Sequence, residues 1–115
     1  MCSCEFATAL VKKKRWVMLN FSPVWGRSAD AEVAPYCATK WAVEWITKSL
    51  AQELPSGMTA VALNPGIIDT AMLRSCFGGS AGAYPEPDAW AERAVPFLLE
   101  LNARHNGEPQ SVPGF

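Results

Sequence analysis

The chain has 115 residues, half of them hydrophobic and 18% charged, with a formal net charge of -1. That length holds one domain over residues 1–115. The composition argues against intrinsic disorder, and the near-neutral balance against electrostatic attraction to nucleic acid or an anionic membrane surface.

In chain order, residues 6–11 read as the tail of a helix. The run Lys12-Lys13-Lys14-Arg15 suits its C-terminus, where cations complement the helix dipole; a nuclear-localisation run is the alternative. Residues 16–21 form a short apolar run, expected as a buried strand. Residues 22–34 hold Pro23, Gly26 and small polar side chains, the composition of a loop. Pro35 opens a long helix to about Leu54, stopped by Pro55-Ser56-Gly57. Residues 58–63 are a second buried-type strand, broken at Asn64-Pro65-Gly66. The glycine- and aromatic-rich stretch 74–84 is expected as a mobile loop. Pro87-Asp88 starts a helix reaching about Leu101, with Pro96 as a kink point. Residues 107–115 supply a last, short strand. Strand, helix, strand, helix, strand is the order of a parallel sheet with crossover helices.

Four cysteines are present, Cys2, Cys4, Cys37 and Cys76, and no secretory signal precedes them. Free thiols in a reducing, cytoplasmic compartment are the expectation. Structural zinc takes about four ligands. His105 is the sole histidine and no paired cysteine motif exists, so no metal is expected. No apolar run approaches the roughly 20 residues that span a bilayer.

Tyr36 and Lys40 lie four residues apart on the long helix, so their side chains project from one face. A tyrosine that exchanges a proton near neutrality must have its ordinary pKa of about 10 lowered. An ammonium one turn away supplies part of that shift, and a positively charged nicotinamide ring more. By spacing alone, a surface tyrosine beside a solvated lysine is the commoner outcome.

Three segments change that weighing: Asn20-Phe21-Ser22-Pro23-Val24-Trp25-Gly26-Arg27, Tyr36-Cys37-Ala38-Thr39-Lys40 and Asn64-Pro65-Gly66-Ile67-Ile68-Asp69-Thr70. In this order and spacing the chain resembles the short-chain dehydrogenase/reductase family, from about residue 6 to residue 115. Residues 33–45, 61–78 and 87–91 look like the NADPH-dependent pterin aldehyde reductases within it. The resemblance implies an α/β fold, a partial Rossmann-like, doubly wound parallel sheet lacking its N-terminal strands. It implies an oxidoreductase that uses NADP(H) on a small-molecule carbonyl such as a pterin aldehyde. Tyr36 would protonate the substrate oxygen, while Lys40 would depress the Tyr36 pKa and bind the nicotinamide ribose. Pro65 and Gly66 would turn the backbone at the carboxyl end of a strand, where parallel sheets bind ligands. The backbone of Ile68 and the hydroxyl of Thr70 would meet the carboxamide and phosphate region of the cofactor. Ser22 and Trp25 are the candidate substrate contacts, and composition and loop position make Trp25, Phe77 and Tyr84 candidates for a flat aromatic pocket.

Two departures stand out. The family places a catalytic serine thirteen residues before the tyrosine, and that count from Tyr36 lands on Pro23, with Gly26 confirming the register. Proline carries no hydroxyl. Ser22 is adjacent, but neighbours on an extended segment point to opposite sides, and Pro23 confines Ser22 to extended conformations. The second departure is the absence of a Gly-x-x-x-Gly-x-Gly loop before Tyr36, where the only glycine is Gly26. The phosphate-binding half of the cofactor site, and a further catalytic asparagine, are therefore expected to be missing. The strand at 16–21 would then have an open edge, which invites association.

Trp41, Val43, Trp45, Ile46 and Leu50 give the helix 35–54 apolar residues on more than one side. Either the tryptophans anchor a homo-oligomer through this helix, or they lie in the core of one domain. The rival to a reductase is accordingly a non-catalytic fragment that acts through helix-mediated association.

Overall fold

The computed structural model describes residues 16–26, 29 and 31–115, apart from the side chain of Trp25. The expected helix tail at 6–11, the basic run 12–15, Cys2, Cys4 and Arg27 lie outside the described residues.

Three parallel strands make one sheet, in the order β1 (Trp16–Phe21), β2 (Met58–Asn64), β3 (Gln110–Ser111). β1 and β2 pair along their whole common length, from Trp16 opposite Met58 to Phe21 opposite Leu63. β3 pairs only with the end of β2, at Leu63 and Asn64. Above β3 the side chain of Asn106 continues the pairing. Its carbonyl accepts from the Ala60 amide at 2.9 Å and its amide donates to the Ala51 carbonyl at 2.8 Å. All seven residues of β2 are buried, the continuous apolar run of a central parallel strand.

The crossovers are helical. α1 (Ala34–Glu53) joins β1 to β2, and α3 (Pro87–Glu100) leads back toward β3. α1 starts with Pro35 in its first turn and buries a stripe of Cys37, Glu44, Thr47 and Ala51 against the sheet. Asn20 of β1 donates to the Thr47 hydroxyl at 2.9 Å, which fixes the helix over the strand. α3 packs from Ala94 onto Leu63 and Val112, with Trp90, Phe97, Leu98 and Phe115 around them. Pro96 lies inside α3, as its sequence position required.

One expectation is corrected. The stretch read as a mobile loop is ordered into α2 (Ala71–Phe77) and a 3-10 segment, Gly78–Ala83. Thr70 caps α2, its hydroxyl accepting from the Leu73 amide at 3.2 Å, and Ala81 is buried. Trp41 and Trp45 are 41% and 63% exposed, so neither lies in this domain's core. Cys37 is buried, Cys76 exposed, and both thiols are free. Among the described residues no group of histidine, cysteine and carboxylate side chains is arranged to hold a metal. No helix among them is long and apolar enough to cross a membrane.

Candidate active site

The carboxyl ends of β1 and β2 open beside the first turns of α1. β1's pairing runs on past its last residue, because the Ser22 amide donates to the Leu63 carbonyl at 2.8 Å. The chain then turns sharply, the Gly26 amide donating to the Pro23 carbonyl at 2.7 Å. Gly26 is needed for what this turn touches. A Cβ there would collide with the Ser22 hydroxyl and lie 3.1 Å from the Lys40 carbonyl oxygen. A glycine thus seats the end of β1 directly on the backbone of Lys40.

On that turn of α1, the Lys40 ammonium stands over the Tyr36 ring, 5.6 Å from its centroid. The two groups share one face, as their spacing required. The effect on the phenol differs from expectation. Burial, and the neighbouring Cys37 thiol, push the Tyr36 pKa above its ordinary value of 10.0. The ammonium sits against the π face, where it gains a cation–π attraction whichever protonation state the hydroxyl is in. The neutral phenol is therefore the form the fold favours. That contribution to stability is present below pH ~10 and is lost as pH rises through the folded value. In a Tyr84→Phe chain, which leaves one tyrosine, ultraviolet titration is expected to give ionisation above pH ~10. Adding oxidised cofactor, whose ring is cationic, is expected to bring it down. A phenol already ionising below its ordinary value without cofactor would contradict this environment.

The segment between β2 and α2 is held at several points. Asn64 accepts from the Gly66 amide at 3.1 Å. The Trp90 indole of α3 donates to the Pro65 carbonyl at 2.8 Å. Gly66 has φ +78° and lies against Phe115, over whose ring the Arg93 guanidinium stacks at 5.5 Å. The Asp69 amide donates to Pro85, and its carboxylate takes a fork of two bonds from Arg74, both 2.6 Å. Those bonds hold the Asp69 carboxyl below the usual carboxylate range although burial works the other way. The fork therefore stays intact above pH ~4 and is lost only as pH falls through the depressed value. Among the described residues no hydrogen bond engages the peptides of Ile67 or Ile68, and Ile68 is half-buried. Unpaired backbone groups in a half-buried strand-end loop suit a ligand's amide. Thr70 spends an acceptor lone pair on its cap, and its hydroxyl hydrogen remains as a donor.

Of the residues singled out in the sequence, Tyr36 and Lys40 come together, and Pro65, Gly66, Ile68 and Thr70 form one continuous loop. Ser22 does not join them. It is fully buried with its hydroxyl turned against Gly26, so it is closed to a substrate. The strand alternation that separates it from Pro23 is the reason. Phe77 and Tyr84 are 55% and 41% exposed, and the aromatic contact at this end of the sheet is instead Phe21 with Trp90, centroids 6.4 Å apart. The holding roles of Trp90, Arg74 and Phe115 were not legible in the motifs.

A family model described as short chain dehydrogenase matches residues 1–79. The NADPH-dependent pterin aldehyde reductase of Arabidopsis thaliana is 49% identical over 108 residues, covering 94% of this chain and 45% of that protein. The (S)-acetoin-forming diacetyl reductase of Staphylococcus aureus (strain Mu50 / ATCC 700699) is 35% identical over 96 residues, 83% of this chain and 36% of that one. Among solved structures, a short chain dehydrogenase from Escherichia coli CFT073 complexed with NADPH superimposes with a TM-score of 0.74 at 24% identity. The overlay covers 89% of this chain and 43% of that one, a likeness of fold. The chain thus spans less than half the length of these relatives, and its α/β sheet is part of a Rossmann-like domain.

Proposed function

The chain belongs to the short-chain dehydrogenase family, and from that premise we propose that its residues form the catalytic side of an NADP(H)-dependent carbonyl reductase. The proposed substrate class is a small aldehyde or ketone, with a flat pterin-like aldehyde favoured by the named Arabidopsis relative. One observation carries the reading: the ammonium of Lys40 lies over the ring of Tyr36, on the helical turn against which Gly26 seats the end of β1.

When bound, the reduced nicotinamide supplies a hydride to the carbonyl carbon. Tyr36 donates its hydroxyl proton to the carbonyl oxygen, for which a neutral phenol is the required form. The phenolate left behind keeps the Lys40 ammonium against its ring and would be favoured by the cationic charge of the oxidised nicotinamide. Lys40 also binds the ribose, the Pro65-Gly66 turn admits the ring, and the Ile68 backbone and Thr70 hydroxyl hold the carboxamide end. Pro23 offers no donor to polarise the carbonyl, so reduction by this chain is slow.

The sequence has no glycine-rich loop before Tyr36, so the pyrophosphate would lack the helix N-terminus that such a loop presents. Reduced nicotinamide mononucleotide is therefore expected to bind with nearly the affinity of NADPH, read by nicotinamide fluorescence and thermal shift. Binding of NADPH tenfold tighter or more would reveal a phosphate site and overturn the half-site reading. No saturable response to either, up to millimolar concentrations, would leave the second reading: a non-catalytic chain that associates with a second copy through α1. The exposure of Trp41, Trp45 and Ile46 along that helix favours it.

A further inference from the structure

The loop 65–70 is gripped at both ends by side chains that the proposed chemistry does not use. At one end, Trp90 reaches from α3 to the Pro65 carbonyl, 25 residues away in sequence. Its ring packs on the Leu63, Ala94 and Val112 core and leans on Phe21 at a tilt of 51°. Trp90 thus ties the carboxyl ends of β1 and β2 to one rigid helix. At the other end, Arg74 of α2 binds both oxygens of Asp69, whose own amide is tied to Pro85. Between these grips lie the unengaged peptides of Ile67 and Ile68. A segment fastened on either side of two unpaired peptides is preorganised, because ligand binding does not have to order it.

We propose that Trp90 and Arg74 are positioning residues that hold the Pro65–Thr70 loop in its ligand-competent shape, one from each end. The inference rests on the nicotinamide reading above, and two variants separate them. Trp90→Phe keeps a ring against Phe21 and the core but removes the indole donor. Arg74→Gln breaks the two-bond fork from a side chain 61% exposed, and its amide can still donate one neutral bond to the buried Asp69 carboxylate.

Amide hydrogen exchange on the whole chain, without nucleotide, reads the loop directly. Each variant is expected to accelerate exchange at the bonded amides of the loop, Gly66 and Asp69, while the amides of β1 and β2 keep their protection. Titration with reduced nicotinamide mononucleotide is expected to show affinity about fivefold to tenfold weaker, the weight of one lost hydrogen bond. The thermal midpoint of Trp90→Phe should stay close to that of the parent chain. Arg74→Gln also loses the charged partner of the buried Asp69 carboxylate, so its discriminating readout is loop exchange against strand exchange. A merely structural role would lower the midpoint and loosen the strands together. Parental affinity in both variants overturns the inference, even where exchange has risen, and so does parental exchange. A parent chain that binds neither nucleotide instead overturns the nicotinamide reading, while its exchange pattern still reports whether the grips exist.

Discussion

Alanine at Gly66 is expected to destabilise the chain by about 2–5 kcal/mol, the sum of backbone strain and overpacking. Two independent penalties meet at this position. Gly66 has φ +78°, a region that L side chains enter only at a cost. Its Cβ would also collide with the Phe115 Cβ and stand 3.1 Å and 3.3 Å from the Phe115 carbonyl carbon and Cα. Those atoms are backbone and the root of a side chain, so no rotamer change clears them. Phe115 itself packs against the Leu63, Ala94 and Val112 cluster and carries Arg93 on its ring. Relief by moving Phe115 therefore disturbs the core. Urea unfolding measures the loss, and two comparisons apportion it. Gly78→Ala meets positive φ in open space, with nothing within 4 Å, and should show strain alone. Gly66→Ala combined with Phe115→Gly should recover the steric share, because the opposing Cβ is gone. A Gly66→Ala chain with the parental midpoint would mean that the segment 113–115 does not wedge against this turn.

The residues that were legible in the sequence owe their visibility to local rules. β1 and β2 showed as short apolar runs, and β2 only gained Asn64 at its end. Pro35 and Pro55 bracketed α1 to within a residue of its true ends. Tyr36 and Lys40 could be placed together because i and i+4 share a helical face whatever surrounds them. α2 escaped for the opposite reason. It makes about two turns, buries none of its residues and leaves Met72 and Phe77 exposed, so no apolar stripe marks it. Its signals were the Thr70 cap and Arg74, lost beside the glycines that follow. The grips on the loop were invisible because they join distant segments: Trp90 meets Pro65, and Phe115 meets Gly66, only once α3 has crossed the sheet. The direction of the Tyr36 shift was missed on a finer point, since spacing puts an ammonium near a ring but does not choose between the ring's face and its hydroxyl.

Pro23→Ser is expected to raise the rate of carbonyl reduction by about a hundredfold to a thousandfold once the chain is joined to the glycine-rich half of a family member. Position 23 follows a residue whose side chain is committed inward: Ser22 is fully buried, lies against Gly26, and continues the β1 ladder through its bond to Leu63. Alternation then turns position 23 to the other side, and its residue is half-buried at the mouth of the turn. A serine there regains a hydroxyl donor that would fix the carbonyl oxygen while Tyr36 protonates it. The fold should tolerate the exchange, because the Gly26 bond is made by the carbonyl of residue 23, which serine retains. The loss of proline's rigidity should cost only ~0.4–1 kcal/mol of stability. The gain belongs in kcat, since a donor aimed at developing charge is stronger in the transition state than with bound substrate. Ser22→Ala is the matched control and should leave kcat within a few-fold of its parent in either background. If Ser22→Ala instead abolished turnover while Pro23→Ser changed nothing, Ser22 would be the working donor, and its hydroxyl would have to leave the Gly26 contact during catalysis.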